Sequence, residues 1–154
     1  MVVQLLTGVI GTFGFTLLFN ERRSLYPAAC VGGLISWGVY LLMENLGAGI
    51  FASVFLATVI SAFYSELLAR KFKLPSTVLF LPSVIPLIPG SSLYYMMDAA
   101  VKNNETMLKY RGSSLLTWAL AIALGASLVK AYYTAIGRIK NKYRQNDTNR
   151  KNNR

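Results

Sequence analysis

The sequence predicts an all-α, polytopic membrane helix bundle of about five transmembrane helices, with the fourth broken by proline and glycine. Three observations support this. The 154 residues are 54% hydrophobic and 14% charged, a balance typical of integral membrane proteins rather than soluble domains. Five apolar stretches, about 2–19, 25–43, 46–69, 76–101 and 112–136, each lie near or above the roughly 18 residues that a spanning helix needs. Within the fourth, Leu81 to Ser92 holds Pro82, Pro86, Pro89 and Gly90 in a run apolar enough to lie in a bilayer.

The first segment has no basic residue before Arg22 and so lacks the positive region of a secretory signal, which makes it a retained first helix. Helices in lipid associate through small residues that let backbones approach, so four-residue spacing of Gly, Ala and Ser marks contact faces. Gly8, Gly11 and Gly14 give a weak signal of this kind in the first segment, as do Ala28/Gly32 and Ala29/Gly33 in the second. The third carries Gly49, Ser53, Ala57, Ser61 and Ser65 in unbroken steps. The fifth carries two lines, Ala119, Ala123, Ser127, Ala131 and Ala135 beside Ser113, Thr117, Ala121 and Gly125. Two faces on one helix imply a central position or a second protein partner. Trp37 and Trp118 are expected in an interfacial aromatic belt. Lys130 is expected to snorkel to the interface, with Tyr132 and Tyr133 as anchors.

Charge sets the orientation. If the gaps near residues 22 and 70 and the chain from Arg138 onward share one side, they hold twelve of the sixteen basic residues, against three on the other side. The positive-inside rule then puts the N-terminus out and the C-terminus in the cytoplasm, which requires an odd number of crossings. Residues 1–137 form the transmembrane domain, and 138–154 form a basic, disordered cytoplasmic tail that touches anionic lipid. The net charge of +10 therefore belongs mostly to a tail and does not indicate nucleic-acid binding. Histidine is absent and Cys30 is the single cysteine, which removes imidazole acid/base chemistry, Cys/His metal sites and intrachain disulfides. No catalytic set, metal or cofactor is expected.

Proline removes an amide hydrogen, and the hydrocarbon core offers no water for the carbonyl it frees. Interrupted apolar segments therefore point to a substrate site. A helix restarting after Gly90 would offer free amides with the hydroxyls of Ser91 and Ser92 to an anion. The carbonyls freed by Pro86 and Pro89 would suit a cation. Ionisable residues inside apolar sequence face a cavity, a partner or a pathway. Asp98 lies about two turns into the restarted helix, on the face of Ser91, Tyr94 and Tyr95, either as a pathway residue or as a polar contact near the outer interface. Glu66 precedes Arg70 by one turn, either as a structural ion pair or in a gating role.

The order Gly14 to Asn20, Ser65 to Arg70, and Leu74-Pro75 leading to Pro82-Ser83-Val84-Ile85-Pro86-Leu87-Ile88-Pro89-Gly90-Ser91 with Tyr94 and Tyr95 beyond resembles the threonine/serine exporter family. The similarity covers residues 1 to about 137 and is to the small, separate-chain half of that family, which includes components of two-protein succinate exporters. The resemblance implies a bacterial inner-membrane subunit that exports small polar metabolites, a hydroxy-amino acid or a dicarboxylate such as succinate, with a larger membrane partner subunit. Five helices make a thin wall around a substrate route, which also suits a complex or a homo-oligomer. Two readings stand: an exporter subunit with a site near Pro86 to Ser92, and a membrane scaffold or assembly subunit without a site of its own.

Overall fold

The computed structural model describes the backbone of residues 2–152 and the side chains of residues 2–138. The described residues form six helices and no strand: α1 (Val2–Leu18), α2 (Tyr26–Asn45), α3 (Gly49–Phe72), α4 (Ser76–Val84), α5 (Gly90–Val101) and α6 (Glu105–Asn152). The five apolar segments are all present, the fourth as the pair α4 and α5. α2 and α3, and α6 as far as Arg138, are each long and apolar enough to cross a membrane singly, and α4 with α5 qualifies as a pair bent by 58°. α1 has 17 residues and, at the rise of an α-helix, spans about 26 Å, slightly less than a typical hydrocarbon core. The tail expected beyond Arg138 lies outside the residues whose side chains are described.

Helix ends explain the sharp reversals. α3 closes on Lys73 at φ 56°, whose left-handed backbone lets its amide donate to the Ala69 carbonyl. Pro75 follows and α4 begins at once, so the start of α4 lies beside the end of α3.

The bundle is held by close approach of small residues, as packing in lipid requires. α2 packs against α1, α3 and α4, while α6 packs against α3 and α5. A Cβ added at Gly32 would fall 2.9 Å from Ser83 Cβ of α4, and one at Gly33 would fall 2.9 Å from Thr12 Cβ of α1. Gly125 of α6 sits against Thr58 and the Phe55 carbonyl of α3 in the same way. Ser53, Ala57, Ser61 and Ser65 are buried along α3 as their spacing predicts. Gly49 is the exception: it is the exposed first residue of α3, at φ 74°, with nothing within 4 Å of an added Cβ. Of the two lines on α6, Ala121 and Gly125 are buried, whereas Ala119, Ala123, Ser127, Ala131 and Ala135 are exposed.

The two tryptophans are a correction. They do not form a belt: Trp37 stacks on Tyr40 at 5.0 Å and Tyr40 meets Trp118 at 5.1 Å. Tyr40 and Trp118 are buried with Leu41, Val54, Ala57, Leu87 and Ala121, and Trp37 packs at their edge. Large flat rings fill the gap that small residues leave elsewhere.

The break is closed from within. Ile85–Leu87 makes a tight 3-10 turn that sinks Leu87 into this core. Ser36 of α2 donates to the Ser83 carbonyl at 2.5 Å, satisfying an acceptor at the end of α4 where the helical ladder stops. Beyond the break the chain continues to the opposite end of the bundle. Lys130 of α6 borders one recess with Glu66, and the 25 residues separating it from Glu105 span about 38 Å of helix. The α5–α6 connection therefore lies far from Glu66, and α4 with α5 traverses the bundle.

Candidate functional site

Glu66 sits near the C-terminal end of α3, one residue beyond the buried stripe, with its side chain 17% exposed. Its Oε1 accepts a hydrogen bond from Ser76 Oγ of α4 at 2.7 Å. Its Oε2 is 3.9 Å from Arg70 Nε, a loose contact beside a side chain that is 55% exposed and of little energetic weight. The Arg70 guanidinium instead covers the Tyr133 ring of α6, 4.5 Å from its centroid.

These groups border two neighbouring spaces that share Glu66 and Lys130. The inner one, about 60 Å³, lies between Glu66, Ser76, Thr77 and Phe80 on one side and Val129 and Lys130 on the other. At roughly 30 Å³ per water it has room for about two waters. The outer one, about 810 Å³, is an open depression bordered by Glu66, Arg70, Lys130, Tyr133, Thr134 and Arg138. Lys130 makes no ion pair among the described residues. The inner space thus sets one carboxylate and one cation beside the Ser76 and Thr77 hydroxyls, and the outer one adds Arg70, Arg138 and the Thr134 hydroxyl. Such a set can hold an ammonium at Glu66 and a carboxylate at Lys130, with hydroxyl donors between them.

The other residues singled out in the sequence lie elsewhere. Pro86 is half-buried in the 3-10 turn, and Pro89 precedes α5 with ψ 66°. Gly90 and Ser91 are exposed, Ser92 is half-buried, and the Gly90 and Leu93 amides already donate to the Ile88 and Pro89 carbonyls at 2.8 and 3.1 Å. Neither space described above is lined by this turn. Tyr94 and Tyr95 point outward, and Arg111 covers the Tyr95 ring at 5.3 Å. Asp98 is paired with Lys102 at 2.9 Å, both partly exposed, near the end of α5. Glu66 is therefore brought together with Ser76, Thr77, Arg70 and Lys130, and is separated from the set running from Pro86 to Asp98.

Sequence reasoning missed four members of this end of the bundle. Ser76 and Thr77 carried no signal beyond following Pro75. Lys130 read as an interfacial snorkeller. Glu21, between α1 and α2, was not singled out, yet its Oε2 is buried without a hydrogen-bond partner, and burial pushes its carboxyl above the ordinary value.

A family model described as Threonine/Serine exporter, ThrE, matches residues 4–132. The chain belongs to the threonine/serine exporter family. The match runs from α1 through most of α6, so it takes in Glu21, Glu66, the break and Lys130, and it ends one residue before Tyr133. No solved structure matches the chain. Family membership together with the apolar helices makes this exporter-family chain a membrane transporter of the threonine/serine exporter type.

Proposed function

We propose that this threonine/serine exporter family chain is one subunit of a bacterial inner-membrane exporter that moves threonine or serine outward and works with a larger membrane partner subunit. The observation that carries the reading is the recess between α3, α4 and α6, where Glu66 and Lys130, which has no ion pair among the described residues, border one space. A hydroxy-amino acid matches that set: its ammonium meets Glu66, its carboxylate meets Lys130, and its hydroxyl meets Ser76 or Thr77. A dicarboxylate such as succinate has no group for Glu66, so the zwitterion is the better fit.

The recess lies at the end that also carries Arg22, Arg23, Arg70, Lys71, Lys73 and Arg138. The positive-inside rule makes that end cytoplasmic, which is where an exporter loads, and puts the N-terminus outside. The exposed line Ala119, Ala123, Ser127, Ala131 and Ala135 supports a helix–helix contact beyond this chain. The alternative, an assembly subunit without a site, draws support from the break itself, where the Ser83 carbonyl is satisfied from within by Ser36.

The test is metabolite accumulation in a strain that lacks the chain, with and without the partner. The exporter reading expects threonine or serine to build up in the cytoplasm and to fall when the chain is restored. Unchanged pools of both would reject it, and accumulation of succinate alone would reject the zwitterion.

A further inference from the structure

Glu21 stands apart from the other acidic residues whose side chains are described. Glu44 bonds the Tyr40 hydroxyl, Glu66 accepts from Ser76, Asp98 pairs with Lys102 and Glu105 pairs with Lys109. Glu21 has no ion pair among the described residues, and its Oε2 is buried with no hydrogen-bond donor. The carboxyl borders a recess of about 370 Å³ between Phe19 and Asn20 of its own connection and Thr77, Val78 and Leu81 of α4.

Among the described residues, no cation lines that recess. α4 presents only a hydroxyl and apolar side chains there. α1 supplies the Thr16 carbonyl, which accepts the Glu21 amide at 3.2 Å. Tyr26 of α2 is engaged with the Phe13 ring. Arg22 and Arg23 are exposed and make no ion pair with their neighbour. Glu21 as a whole is half-buried, but on its buried Oε2 a negative charge meets neither water nor a donor, whereas a protonated carboxyl is neutral and carries its own donor. The upward push on this carboxyl follows from the same burial.

We infer that Glu21 is a proton-binding site at the contact between α1 and α4. The carboxyl holds the proton while it is seated against Thr77 and Val78, and it gives the proton to water when the connection lifts away from α4. Thr77 borders both this recess and the one at Glu66, so the first turn of α4 separates the proton site from the charged recess. Use of that proton to drive export rests on the function proposed above, while proton binding itself does not.

Infrared titration of the protonated-carboxyl band on the purified full chain tests the assignment. The wild type is expected to show a band titrating above the ordinary carboxylate range. Glu21→Gln removes it, Glu44→Gln retains it, and Glu21→Asp, which withdraws the carboxyl from the recess, moves its midpoint down. A band that survives Glu21→Gln, or a midpoint at the ordinary value, overturns the assignment. A midpoint that moves with sodium concentration at fixed pH also overturns it, in favour of a metal cation. If the band behaves as expected while the wild type exports no threonine, the proton site stands and the exporter reading fails.

Discussion

Replacing Gly32 by alanine tests the packing that holds α2 against α4. The added Cβ would lie 2.9 Å from Ser83 Cβ and 3.2 Å from Tyr64 Cε1, closer than real side chains approach. Neither neighbour can step aside freely, because the Ser83 hydroxyl donates to the Leu79 carbonyl at 2.6 Å and the Tyr64 hydroxyl to the Ala28 carbonyl at 2.9 Å. Overfilling such a contact costs about 1–3 kcal/mol, and a hydrogen bond lost in a membrane interior adds roughly 0.6 kcal/mol. The expected total of about 2–3 kcal/mol is a factor of about 30 to 140 in the folding equilibrium. Reversible unfolding in mixed micelles measures it, with Gly11→Ala as the control because nothing lies within 4 Å of a Cβ there. If Gly32→Ala proves as stable as Gly11→Ala, α2 and α4 do not meet as described.

Ser36→Ala should cost about 1–3 kcal/mol in the same assay, since it leaves the buried Ser83 carbonyl without its donor; no loss would mean that another group satisfies the break. Trp118→Ala should cost about 3–5 kcal/mol by emptying the space beside Tyr40 and Leu87, and a belt residue would lose far less. Glu21 binds its proton more tightly when folded, so its contribution to stability is fully present below the ordinary carboxyl pKa and is lost as pH rises through the raised one. Unfolding measured across that window should show stability falling with rising pH in the wild type, and Glu21→Gln should flatten the slope.

Much of the fold was legible because the membrane imposes lengths. Apolar runs bounded by Arg22, Glu44, Arg70 and Lys102 had to become helices, and three prolines before Gly90 had to interrupt one. The stripe from Ser53 to Ser65 was legible for the same reason, since small residues in four-residue steps have few uses other than contact. Rotation about a helix axis was not legible. Both small-residue lines of α6 look alike in sequence, yet only the one holding Ala121 and Gly125 meets α3. The site depended on such rotations: Ser76 reaches Glu66 only because Lys73 adopts a left-handed conformation that turns α4 back beside α3. Asp98 seemed as promising as Glu66 from its neighbours, and Lys102 one turn later takes it up. Glu21 was not legible because nothing in the local sequence around Arg22 and Arg23 shows that its Oε2 is buried without a donor.

The central claim is that the recess at Glu66 and Lys130 carries substrate. The most direct measurement is threonine efflux from cells whose own copy of the chain is deleted and replaced by Glu66→Gln or Lys130→Met, with membrane levels of each variant checked. Each substitution removes a charged partner worth about 1.5–3 kcal/mol, so the account predicts efflux reduced about tenfold or more for both while Asp98→Asn exports normally. Efflux at the wild-type rate in Glu66→Gln and Lys130→Met would contradict it.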